Sequence, residues 1–159
     1  MALEGFVVKY NVENSEKLKK ILTILKPTFA EVKKISQVML KLNPNNLDKA
    51  KEIECQVTGH NMILQEYYSI VASLKKNKEV AYYQMLKNRA EESNIKFVDG
   101  SSSKEASFAV ADERKVRDTI DGYLKSSEQC LRTCRNLINE KQYASQSSSS
   151  VGVTEGELL

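Results

Sequence analysis

Apolar residues recur along most of this 159-residue chain at the three- and four-residue spacing of one face of an α-helix. The longest such seam begins after Leu47, and only His60 and Lys78 interrupt its apolar character. Its positions are Ala50, Ile53, Val57, His60, Leu64, Tyr67, Val71, Leu74, Lys78, Ala81 and Met85. A heptad pattern sustained over about five heptads predicts a long helix that packs against another helix.

A second seam of the same spacing follows the sequence "DGSSS" at residues 99–103. Its positions are Ala106, Ala109, Glu113, Val116, Ile120, Tyr123, Ser127, Cys130, Cys134, Leu137 and Lys141. Asp, Gly and Ser favour turns and helix caps, so the sequence predicts two long helices packed antiparallel through this turn. The pattern leaves open whether the seams pack within one chain or between two copies.

The residues before the first seam predict shorter helices. Residues 1–14 alternate only weakly and indicate an extended start, whereas Ser15 is a good N-cap for a helix over residues 16–25. Pro27 is expected to interrupt that helix, because its ring disfavours the preceding turn. A second short helix then runs to the turn sequence "NPNN" at residues 43–46. The predicted fold class is therefore all-α.

Composition refines this picture at the C-terminal end. Residues 144–159, "ASQSSSSVGVTEGELL", are rich in Ser and contain two Glu but no Lys or Arg. Such a segment buries too little apolar surface to offset its ordering entropy. The sequence predicts a helical domain over residues 1–143 and a flexible tail over residues 144–159. Whether the tail docks on a partner stays open, with an end that has no partner as the preferred interpretation.

The chain carries few residues suited to catalysis or metal binding. It has one histidine, His60, and its six glycines are scattered, so no phosphate-binding glycine loop is expected. Cys130 and Cys134 lie one helical turn apart, but no further ligands recur at metal-site spacing. No apolar run reaches the roughly 20 residues of a membrane span, and no secretory signal is recognisable. We therefore expect a soluble intracellular protein that has no membrane span, no metal site and no cofactor. We also expect its cysteines to be reduced and the protein to have no enzymatic activity.

Cations surround two adjacent tyrosines in "SLKKNKEVAYYQMLKNRAEE", residues 73–92. On a helix, each tyrosine lies between positive charges on one of two neighbouring stripes. This combination suits the binding of single-stranded nucleic acid, because phosphates attract cations and bases stack on aromatic rings. Each stacked base contributes roughly 1–3 kcal/mol. The predicted nucleic-acid-binding residues are Lys75, Lys76, Lys78, Tyr82, Tyr83, Lys87 and Arg89. In the alternative interpretation, the tyrosines pack on a neighbouring helix and the cations are merely solvated.

The segment "KKNKEVAYYQMLKNRAEE" and the later segment "KEASFAVADERKVRDTIDGYLKSSEQCLRTCRNLI" together resemble the phage recombination mediators of the UvsY type. The resemblance is one of pattern and covers about residues 70–142. It implies a non-catalytic helical protein that forms a ring-like homo-oligomer and binds single-stranded DNA. It also implies that the protein helps to load a RecA-like recombinase onto strands coated by single-strand-binding protein, in the cytoplasm of a phage-infected bacterium.

A rival hypothesis explains the same seams without nucleic acid. Long amphipathic helices are also typical of structural or adaptor proteins, here one from a phage, that assemble with themselves or with a protein partner. This hypothesis predicts self-association without affinity for a strand.

Overall fold

A computed structural model describes the backbone of residues 2–150 and the side chains of residues 12–144. The described chain forms four helices, which are α1 (Ala2–Met39), α2 (Leu47–Glu92), α3 (Asp99–Ala109) and α4 (Ala111–Ser150). Residues 2–150 contain no β-strand. The all-α fold class is confirmed.

Three long helices form a bundle, and side-chain contacts fix their directions. Along α2 and α4, the contacts of Asn61 with Ser127 and of Lys78 with Glu113 progress in opposite senses, so these helices are antiparallel. The contacts of α1 with α4 progress in the same sense, from Asn14 at Glu113 to Ser36 at Ser126, so these two helices are parallel.

The two predicted seams face each other in the interior of this bundle. Every position of the α2 seam is buried or half-buried, as is every position of the α4 seam except Lys141. Leu64, Val71 and Ile120 are fully buried and pack with Leu25 and Val32 of α1. The seams therefore pack against each other within one chain, with α1 as the third wall of the core.

The N-terminal region differs from its prediction. The extended start at residues 1–14 and the interruption at Pro27 are both wrong, because α1 is one continuous helix from Ala2 to Met39. Pro27 lies on the exposed side of α1. The carbonyl that loses its N–H partner there belongs to the exposed residue Thr23, which water can reach. Burial of Leu25 and Val32 on either side holds the helix together.

The connection between the seams also differs from its prediction. The turn lies at residues 93–98, where Asn94 has a φ of 56°. This left-handed conformation is one that Asn tolerates. The "DGSSS" sequence instead forms the start of α3, with the carboxylate of Asp99 in the first turn, where it is favourable to the helix dipole. A break at Val110 separates α3 from α4, so the predicted second long helix is two helices.

At the C-terminal end, the backbone of α4 continues to Ser150. The first part of the predicted tail, residues 144–150, is therefore helical in its backbone, and residues 151–159 lie outside the described part of the chain. Flexibility of this tail stays a prediction. Among the described helices, none combines the length and apolar character that crossing a bilayer requires.

Candidate nucleic-acid interface

The predicted binding residues lie between positions 75 and 89, in the C-terminal part of α2, where that helix runs past the start of α4. Lys78 is level with Glu113 near the beginning of α4, and α2 then continues to Glu92. Here α3 packs along α2, because Tyr82 contacts Glu105 and Tyr83 contacts Asp99. The surface thus belongs to α2 and α3 together.

Lys78 lies in the core of the bundle and is only 8% exposed. Its ammonium donates hydrogen bonds to both carboxylate oxygens of Glu113, at 3.0 and 3.1 Å. The amide nitrogen of Asn14 donates to the same carboxylate at 3.2 Å. Glu113 is itself only 1% exposed. Its carboxylate therefore neutralises the charge of Lys78 inside the bundle. Unlike its prediction, Lys78 therefore lies too deep in the bundle to contact a strand.

The sequence already contained an indication of the buried pair of Lys78 and Glu113. Lys78 interrupts the apolar α2 seam, and Glu113 interrupts the α4 seam. Two buried opposite charges are far less costly together than apart, so antiparallel seams are expected to bring such positions into contact. Asn14, the third member of the cluster, lies in the segment predicted to be extended and gave no such signal.

Both tyrosines are half-buried against α3 and the loop before it. The hydroxyl of Tyr82 donates to Glu105 at 3.4 Å, and that of Tyr83 donates to the carboxylate of Asp99. The ring of Tyr83 also meets Phe97 edge-on, with 5.6 Å between the ring centroids. These contacts match the alternative interpretation, in which the tyrosines pack on a neighbouring helix, and they leave each ring only partly available to a base.

The same contacts shift the acidity of both phenols. Burial is the main cause that raises the pKa of Tyr82, followed by the negative charge of Glu105. The hydrogen bond to Asp99 is the main cause that raises the pKa of Tyr83. Both phenols therefore stay protonated around neutral pH and act as donors, which holds α3 to α2.

The remaining four predicted residues are cations in two different settings. The ammonium of Lys75 lies 2.8 Å from the carboxylate of Glu79, and its side chain is 19% exposed. Lys76, Lys87 and Arg89 are exposed, and none of them forms an ion pair with any residue of the described chain. This set of three, together with the exposed edges of Tyr82 and Tyr83, is called the α2 surface below.

The described side chains contain no group of three or more His, Cys, Asp or Glu residues placed to hold a metal ion. No family model matches the sequence, and no curated protein or solved structure matches it at a significant level.

Proposed function

We propose that this chain is a non-catalytic accessory protein of recombination that binds single-stranded DNA. In this role it helps to load a RecA-like recombinase onto strands coated by single-strand-binding protein. The observation that carries the proposal is the α2 surface, where Lys76, Lys87 and Arg89 are exposed and free of ion pairs beside two aromatic rings. The resemblance to mediators of the UvsY type supports the recombination role.

The α2 surface suits weak contacts that are multiplied by assembly. Three cations and two partly covered rings on one protomer offer few interactions with a strand. Several copies in a homo-oligomer raise the effective concentration of such sites, so a strand that spans them is held far more tightly. Contacts dominated by phosphate read little sequence, which suits a protein that acts on any strand.

The test removes the three exposed cations in the variant Lys76→Ala/Lys87→Ala/Arg89→Ala. Each single-stranded phosphate contact contributes about 0.7 to the slope of log affinity against log salt, so loss of three contacts lowers the slope by about 2. Ala has high helix propensity, so helicity should be retained. The matched control is Lys41→Ala/Lys51→Ala/Arg132→Ala, which removes the same charges from exposed positions near the opposite end of the bundle. Equal strand affinity for the two variants would contradict the role of the α2 surface.

A second candidate function is a self-assembling structural or adaptor protein that does not bind nucleic acid. A specific feature of α2 favours it, because residues 55–73 include one charged residue, Glu66. On the outer side of this stretch, Met62, Ile63 and Ile70 are 65%, 40% and 39% exposed. Neighbouring exposed apolar groups that form a contiguous patch are typical of interaction sites.

The variant Met62→Lys/Ile70→Lys reduces assembly in both candidates, and strand binding distinguishes them. In the second candidate, these charges reduce the mass measured by light scattering, and the wild-type protein binds no strand. In the first, assembly and strand affinity fall together, because the strand contacts depend on several copies. Unchanged mass would exclude this face of α2 from assembly.

A further inference from the structure

A groove runs between α1 and α4 on the side of the bundle that α2 does not line. Two adjoining cavities of about 390 Å³ each lie in it, and both are bordered by Ser36 and Ser126. One of the two is lined by Lys33, Ser36, Asp118, Thr119, Gly122, Tyr123 and Ser126. This feature, the α1/α4 groove, shares no residue with the α2 surface.

Four exposed lysines follow the α1/α4 groove. Lys19, Lys26 and Lys33 are spaced every seven residues along α1, so they share one stripe that extends about 21 Å. Lys115 of α4 is on the same stripe as Thr119 and Gly122, which line the groove. None of the four lysines forms an ion pair within the described chain.

Carboxylates only partly offset this charge. Asp118 borders the groove but lies 2.7 Å from the guanidinium of Arg117, which neutralises it. Asp112 and Glu16 border a separate depression near Lys19. Elsewhere on α1, by contrast, Lys34 has an acidic partner, Glu31. The groove is therefore a net basic track.

An aromatic side chain forms part of the groove floor. The ring of Tyr123 stacks on that of Phe29, with 4.2 Å between centroids and 18° between planes, and Tyr123 borders the cavity. Gly122 beside it leaves the floor open, because a Cβ built at this position would meet nothing within 4 Å. Positive charge along a groove with an aromatic group in its floor is the combination that single strands use for phosphate contact and base stacking.

We infer that the α1/α4 groove is a second contact surface for single-stranded DNA, with phosphates on Lys19, Lys26, Lys33 and Lys115 and a base in the cavity beside Tyr123. The inference rests on the strand binding proposed above.

Two variants test the groove by different means. Lys26→Ala/Lys33→Ala/Lys115→Ala removes its charge, and Gly122→Gln fills its floor without changing charge. Gln has higher helix propensity than Gly, so thermal stability of the second variant should be equal or higher. The control Lys20→Ala/Lys41→Ala/Lys51→Ala removes three exposed lysines from outside the groove. We expect each groove variant to lose on the order of tenfold in single-strand affinity at moderate salt, and the charge variant to lose about 2 in salt slope.

The outcomes separate this inference from the proposed function. Groove variants that bind like their control while the α2-surface variant loses binding would overturn the groove and leave the proposed function in place. Loss of binding in both groove variants with helicity retained supports the groove. A wild-type protein that binds no single strand at low salt would overturn both. Equal loss of affinity for a duplex of the same length would overturn the assignment of the groove to single strands.

Discussion

The two ends of α2 use the same heptad spacing for different purposes. Its first part buries apolar seam residues between α1 and α4, and its one buried polar side chain is neutral, the amide of Asn61 that donates to Ser127 at 2.8 Å. Its last part holds the charged Lys78 inside and carries the cations of the α2 surface outside. A regular seam thus fixes which side of α2 is buried, while the polar side chains buried beside or within it, Asn61 and Lys78, pair with α4 at two separate levels of the bundle.

The charged layer should give the largest effect on stability. Glu113→Ala leaves the buried ammonium of Lys78 without a counter-charge, and we expect a loss of about 3–5 kcal/mol in the free energy of unfolding, measured in urea. The double variant Lys78→Met/Glu113→Leu removes both charges, and we expect it to lose only about 1–3 kcal/mol, because the buried amide of Asn14 loses its acceptor. A double variant as unstable as Glu113→Ala would show that the pair itself, rather than an unpaired charge, determines stability here.

The neutral layer should give a smaller effect. Ser127→Ala removes the acceptor of the Asn61 amide, and an unsatisfied buried polar group costs about 1–3 kcal/mol. Urea unfolding monitored by circular dichroism measures this loss directly. A loss larger than that of Glu113→Ala would contradict the contrast between the two layers.

Gly59 lies in the first part of α2, and replacing it with a residue that has a side chain should stabilise the helix. A Cβ at this position would meet nothing within 4 Å, so Gly59→Ala introduces no clash. We expect the variant to be more stable by about 1 kcal/mol, through helix propensity alone. Thermal unfolding gives the comparison, and light scattering on the same sample shows whether the added methyl group weakens self-association. A less stable variant of unchanged mass would contradict the open surroundings of Gly59.

The smallest effect concerns alkaline pH at the α2–α3 contact. The pKa values of Tyr82 and Tyr83 are raised above the ordinary 10.0. The folded state therefore holds these protons more tightly than the unfolded state does. The associated stability is complete below pH 10 and is lost as pH rises through the raised values. Tyr83→Phe should remove part of this pH dependence, measured by denaturant unfolding at several alkaline pH values, and an unchanged profile would contradict it.

The core positions on α2 and α4 could be predicted from the sequence, because the heptad spacing of apolar residues determines which side of each helix is buried. It failed at Pro27, because a helix that docks on a core tolerates a lost hydrogen bond on its solvent side. It also failed at Asp99, since residues that favour turns can equally begin a helix. The α1/α4 groove was missed because its lysines are widely spaced on α1 and Lys115 joins them only when α4 packs alongside.

We propose that this bundle binds single-stranded DNA through charge and stacking. The most direct measurement is the fluorescence anisotropy of a labelled single-stranded oligonucleotide, titrated with salt and competed with duplex, using protein of known mass from light scattering. We predict a multimer that prefers the single strand and whose affinity falls steeply with salt. Absence of binding at low salt would contradict the claim and favour the self-assembling protein instead.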